Sequence, residues 1–125
     1  MEKSEFTVLV VDDETALLKI ASEELNFEGY SVLTAEDAES GLETFKSNSQ
    51  INIVISDIKM PGEDGVWLLE KILKLNSKMP VYLVSGYSNY SKQEVIERGA
   101  RNLIKKPYQI DDLIDVIDHV FNKYN

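Results

Sequence analysis

The chain has 125 residues, enough for one domain with its own core, and its 43% hydrophobic and 28% charged content excludes a disordered protein. A net charge of -9 argues against a nucleic-acid surface, because phosphate contacts need a basic face. Cysteine is absent, which removes disulfides, cysteine zinc sites and thiol nucleophiles.

Apolar spacing alternates between strand-like and helix-like along the whole chain. Phe6 to Val11 reads as a strand, ending in the continuous apolar run Val8-Leu9-Val10-Val11 of a buried parallel strand. Leu17, Ala21 and Leu25 recur at helical spacing until Gly29, a helix stop. Tyr30 to Ala35 is a weaker strand, with Tyr30 and Val32 facing one way. The next helix carries Ala38, Gly41, Leu42 and Phe45, and it closes at the polar stretch Ser47-Asn48-Ser49-Gln50. Ile51 to Ser56 is a third strand. Met60-Pro61-Gly62-Glu63-Asp64-Gly65 is turn chemistry, in which Asp64 suits the cap of a helix bearing Trp67, Leu68, Ile72 and Leu75. Val81 to Ser85 is a fourth strand, Gly86 to Asn89 a loop, and Val95 and Ile96 lie on a helix ending near Gly99. Asn102 to Lys105 is a fifth strand. Ile110, Leu113, Ile114, Ile117 and Phe121 give the last helix its apolar face.

Strict β-α alternation predicts an α/β fold of a single domain over 1–125, with a parallel sheet covered on both faces. In the flavodoxin-like (βα)5 strand order 2-1-3-4-5, the first and third strands meet at the topological switch point. Asp12 and Asp13 follow the first strand and Asp57 follows the third, so this doubly wound order brings three acids into one crevice. Two carboxylates at about 4 Å repel by roughly 4 kcal/mol at an effective dielectric near 20. Three therefore hold a cation or a proton, and an all-oxygen ligand set suits Mg²⁺, with Mn²⁺ as a substitute. The simpler alternative has Asp13 capping the first helix and Asp12 solvated.

Asp57 has a second capability, since a carboxylate can attack a phosphoryl group to form an acyl phosphate. The negative charge of that transition state calls for a divalent metal and a lysine. Ser85 ends the fourth strand with a hydroxyl donor, and Lys106 follows the fifth strand at the same sheet edge. The Lys106-Pro107 peptide is a candidate for the cis form.

Val10-Val11-Asp12-Asp13-Glu14, Ser56-Asp57-Ile58-Lys59-Met60-Pro61-Gly62, Val84-Ser85-Gly86 and Lys105-Lys106-Pro107-Tyr108 resemble the ordered signature blocks of the response-regulator receiver domain, chemotaxis regulators included. The resemblance implies a signalling switch in which Asp57 is phosphorylated from a phosphohistidine of a sensor histidine kinase or phosphotransfer protein. It also implies that Asp12, Asp13, Asp57 and the Lys59 main-chain carbonyl bind Mg²⁺, that Ser85 meets the phosphoryl group and that Lys106 pairs with it. Such a protein is not an enzyme beyond its own Mg²⁺-dependent autophosphorylation and autodephosphorylation. One position departs from the family: the usual switch aromatic three residues before the motif lysine is Leu103 here. Tyr87, Tyr90 and Tyr108 read as packing or partner-face aromatics, while Lys59 and Tyr87 flank the site and tune acyl-phosphate lifetime.

Other readings remain open. A phosphorylation-independent receiver-like adaptor accommodates Leu103. An aspartyl-phosphate phosphohydrolase of the haloacid-dehalogenase kind needs Asp-x-Asp where this chain has Asp12-Asp13-Glu14. The expected partners are the phosphodonor protein and a downstream protein or output domain, met at the face built from the fourth helix, fifth strand and fifth helix. Homodimerisation through the last helix is a further possibility. His119 reads as a surface residue, and Asp111, Asp112, Asp115 and Asp118 as a solvated helix face. No apolar stretch nears the roughly 20 residues of a membrane span, and Met1-Glu2-Lys3-Ser4-Glu5 does not open a signal peptide, so the expected location is cytoplasmic.

Overall fold

β-branched and aliphatic runs separated by helix-period segments can bury both faces of each strand only by placing helices above and below a parallel sheet. The computed structural model, which describes residues 1–86 and 89–124, has that arrangement. Its elements are β1 (Thr7–Val11), α1 (Thr15–Phe27), β2 (Ser31–Ala35), α2 (Ala38–Ser47), β3 (Ile51–Asp57), α3 (Gly65–Leu75), β4 (Val81–Ser85), α4 (Lys92–Glu97), β5 (Asn102–Lys105) and α5 (Ile110–Lys123). A 3-10 turn, Lys3–Glu5, precedes β1 and carries no signal in the sequence. The five strands are parallel, in the order β2-β1-β3-β4-β5.

Alternate strand residues feed two cores. Val8, Val10, Ile53, Ile55 and Val84 pack against Leu18, Leu25, Leu113, Ile117 and Val120 of α1 and α5. Leu9, Val11, Val54, Leu83 and Leu103 pack against Leu68, Leu69, Ile72 and Val95 of α3 and α4. Leu68, Leu69 and Ile72 are fully buried, and each such side chain contributes about 1.5–3 kcal/mol.

Local chemistry sets the helix ends. Asp37 accepts from the Ser40 amide at 2.7 Å, and Asp64 accepts from the Trp67 amide at 2.8 Å, as its position in the turn predicts. Gly29 closes α1 with φ +106°, a left-handed conformation that disfavours any side chain. Asp111 and Asp112 lie in the first turn of α5, where the helix dipole favours acids.

Two sequence expectations are corrected. The inward residue of α1 is Leu18, with Leu17 only half-buried, because the helix starts at Thr15 and its register turns Leu18, Ala21 and Leu25 to the sheet. Asp118 is not merely solvated: it accepts the Tyr30 hydroxyl hydrogen bond and pairs with Lys3 at 3.7 Å. That link ties the chain start to α5 beneath the ring cluster of Phe6, Tyr30 and Phe121. His119 is exposed, as expected.

Candidate functional site

The strand ladder carries the site residues at the last position of a strand, Asp57 and Ser85, or one step beyond it, Asp12 and Lys106. Val11 pairs with Ser56 in register, so Asp12 and Asp57 follow as neighbours. The Asp12 amide donates to the Ala35 carbonyl at 3.1 Å. The Ile58 amide, just after Asp57, donates to the Val84 carbonyl at 2.9 Å. Across the sheet Ser85 pairs with Lys105, and the Lys106 amide donates to the Ser85 carbonyl at 2.9 Å. The Lys106-Pro107 peptide is cis. Backbone hydrogen bonds thus position the acids and the lysine from three different strand ends, with Ser85 at a fourth.

These side chains meet at a crevice of about 550 Å³ lined by Asp13, Glu14, Asp57, Lys59, Gly86 and Lys106, among others. Asp12 and Asp57 are buried, at 5% and 7% exposure, while Asp13 is open to solvent. The Lys106 ammonium donates to Asp57 Oδ2 at 3.1 Å and to Glu14 Oε1 at 3.3 Å, and lies 3.6 Å from Asp12 Oδ2.

Burial raises the Asp57 carboxyl above its ordinary value, and hydrogen bonding to Lys106 pulls it back only in part. Asp12 is raised for the same first reason, against the Glu14 amide and Lys106. For Lys106, burial acts downward, but Asp57, Asp12 and Glu14 outweigh it and hold the ammonium protonated. One lysine is insufficient for the charge of these acids.

The donor set fits a hard divalent cation. One oxygen from each of Asp12, Asp13 and Asp57 lies within 4.8 Å of the others. The three are anionic oxygen ligands of the type Mg²⁺ and Mn²⁺ take, and the exposed Asp13 side leaves room for the waters that Mg²⁺ retains. The alternative in which Asp13 caps α1 does not hold: Glu14 occupies the cap position, and Asp12 Oδ1 accepts its amide at 2.9 Å.

The response regulator receiver domain family matches residues 8–118, a span that contains every one of these strand ends. The chain belongs to this family. The receiver shares 31% identity and a TM-score of 0.88 with a response regulator receiver domain protein from Clostridium thermocellum, over 95% of this chain and 96% of that one. It is also similar to a chain of the CheX-CheY-BeF3-Mg²⁺ complex from Borrelia burgdorferi, at 28% identity and TM-score 0.85, covering 93% and 89% of the two chains. Among curated relatives, the transcriptional regulatory protein GlrR of Escherichia coli K12 is 34% identical over 89% of this chain. The receiver spans only 25% of that relative's length.

Other residues singled out in the sequence lie around the receiver's crevice. Ser85 is buried at the last position of β4, next to the crevice-lining Gly86. Lys59 is exposed at the rim. Leu103 stays in the core on the α3 and α4 side of the sheet, and Tyr90 packs against the same cluster with the Arg98 guanidinium 5.5 Å from its ring. Tyr108 is half-buried beside Lys106 and Glu14. Tyr87 lies outside the described residues.

Two residues with a part in the geometry went unassigned in the sequence. Glu14 is the third partner of Lys106, and its position directly after Asp12-Asp13, facing the crevice, was the available signal. Gly65 reads as ordinary turn glycine, yet a Cβ there would stand 2.2 Å from the Asp57 carbonyl oxygen. Only a close approach in three dimensions reveals that requirement.

Proposed function

We propose that this receiver accepts a phosphoryl group on Asp57 from a phosphohistidine of a sensor histidine kinase or phosphotransfer protein and changes its affinity for a downstream partner. The observation that carries the reading is the convergence of three acid oxygens with the Lys106 ammonium 3.1 Å from Asp57. An Asp57 carboxylate oxygen attacks phosphorus, the donor's N–P bond breaks, and the imidazole leaves with a proton. The discharge step is hydrolysis: water attacks phosphorus, the Asp57 O–P bond breaks, the carboxylate is restored and inorganic phosphate departs. These two self-directed reactions at Asp57 are the only chemistry proposed for the chain.

Asp12, Asp13, Asp57 and the Lys59 main-chain carbonyl would hold Mg²⁺. When bound, the metal neutralises charge on the transferring phosphoryl oxygens. Lys106 supplies a second positive charge to those oxygens, and the Ser85 hydroxyl donates a hydrogen bond to them. Lys59, at the rim of the crevice, limits water access and so sets the lifetime of the acyl phosphate. A relative was solved with BeF3 and Mg²⁺, and a small anionic group beside a divalent cation is the occupancy this crevice suits. The partner face is that of α4, β5 and α5, because β5 delivers Lys106 and α4 follows the loop after Ser85.

Acetyl phosphate with Mg²⁺ tests the reading. Intact-mass spectrometry should show one added phosphoryl group on wild type and none on Asp57→Asn. No adduct on wild type, or equal labelling of the variant, would refute the assignment. The adaptor reading draws on the aliphatic Leu103 within the core. It requires partner binding to be equal with and without acetyl phosphate, whereas a switch requires a difference.

A further inference from the structure

The strongest relationship left over from that mechanism is the one between Glu14 and Lys106. Glu14 immediately precedes α1, where its side chain makes no cap hydrogen bond. Its amide is instead held by Asp12 Oδ1 at 2.9 Å, which aims the residue at the crevice mouth. The carboxylate then reaches the end of β5, 92 positions along the chain, and accepts from Lys106 at 3.3 Å.

A lysine ammonium has three N–H donors. In the resting protein the Lys106 ammonium donates hydrogen bonds to Asp57 at 3.1 Å and to Glu14 at 3.3 Å, and Asp12 Oδ2 is an ion-pair partner 3.6 Å away. A phosphoryl oxygen arriving at Asp57 competes with these acids for the ammonium, and gains it most fully when one of them gives it up. Asp12 and Asp57 are buried, and losing the lysine would leave them uncompensated. The Glu14 side chain is 60% exposed, so water can solvate it in place of the lysine at little cost.

We propose that Glu14 is a positioning residue that holds Lys106 in the unphosphorylated receiver and releases it to the phosphoryl group, thereby restraining the rate of Asp57 phosphorylation. An interaction present in the resting state and lost in the transition state raises the barrier. The inference rests on Asp57 being the phosphoacceptor, and its test separates the two ideas.

The experiment is a labelling time course with acetyl phosphate and Mg²⁺, read by intact mass across donor concentrations. The variants are Glu14→Gln, Glu14→Asp, Lys106→Met and the Glu14→Gln/Lys106→Met double variant. Glu14→Gln should raise the maximal labelling rate about threefold to tenfold, with the half-saturating donor concentration little changed. Glu14→Asp keeps the charge but is one methylene too short to keep the 3.3 Å contact, so it should accelerate similarly. On the Lys106→Met background Glu14→Gln should have no effect, since a residue acting through Lys106 has nothing left to act on.

Acceleration by Glu14→Gln alone, a change confined to half-saturation, or acceleration that persists without Lys106 would overturn the proposal in favour of simple charge repulsion at the mouth. Unchanged rates in both Glu14 variants overturn it as well. Wild type that takes no label removes the phosphoacceptor reading itself, and this inference with it. If the Lys106 variants do not fold, the comparison of Glu14→Asp with Glu14→Gln still decides between tether and charge.

Discussion

The Lys106 ammonium donates to Asp57 Oδ2 at 3.1 Å although the two residues are 49 positions apart. The pair exists because β3 and β5 flank β4 in one parallel sheet and release both residues at the same edge. It is mostly shielded from solvent, with 17% of the lysine side chain and 8% of the aspartate side chain exposed. Removing the lysine therefore leaves Asp12 and Asp57 with their burial penalty and no compensating cation. Lys106→Ala should lose about 2 kcal/mol of stability in chelator, read by urea unfolding. Added Mg²⁺ should narrow the gap to wild type, and equal midpoints in chelator would show that the pair adds nothing.

Asp57 and Asp12 are both raised above the ordinary carboxyl value of 3.8, burial being the larger cause in each. The folded chain thus keeps protons at a pH where the unfolded chain has lost them. Their contribution favours folding fully below 3.8 and is lost as pH rises through the raised folded values. Asp57→Asn removes one of these titrations. In metal-free buffer its Tm minus that of wild type should grow as pH rises from about 3.8 and then level off. A difference independent of pH contradicts the raised Asp57 carboxyl.

The metal site gives a separate thermal signature. Mg²⁺ that binds only the folded state at ten times its Kd stabilises by about 1.4 kcal/mol. Asp13 is exposed and holds no part of the core, so Asp13→Asn should fold normally in chelator. Its Tm should rise much less with Mg²⁺ than that of wild type, measured by calorimetry at matched ionic strength. Matching responses in the two proteins would remove Asp13 from the ligand set.

Gly65 tests how tightly the fold holds the acceptor. Its amide donates to the Ile58 carbonyl at 2.8 Å, and a Cβ would press on the Asp57 carbonyl at 2.2 Å and on Ile58 Cα at 2.9 Å. Both neighbours are backbone, so the strand end itself must shift. Gly65→Ala should lose about 3 kcal/mol by urea unfolding. Its acetyl phosphate labelling should slow by about tenfold or more, because small displacements of a reacting group are costly. Wild-type labelling in this variant would show that the α3 start does not position Asp57.

Most of the fold was legible because burial in a parallel sheet and packing on one helix face leave different periods in the sequence. The five strand runs, the Asp64 cap and the Gly29 stop are local features, and each appears where spacing and turn chemistry put it. Helix phase was less legible: Leu17 and Leu18 are chemically alike, and only the start of α1 at Thr15 decides which one faces the sheet. Asp118 could not be read as paired, since its partners Tyr30 and Lys3 come from the other end of the chain.

The sequence by itself determined the cast of the site, because Asp12, Asp13, Asp57, Ser85 and Lys106 each stand at or just past a strand end, and strand ends are written in local hydrophobic runs. The tertiary structure alone decided how that cast divides Lys106. Distances between side chains from different strands depend on sheet register and burial, which no local pattern encodes. Through them Glu14 becomes the third and most exposed holder of the lysine, and Gly65 becomes the residue that lets α3 approach the backbone of Asp57.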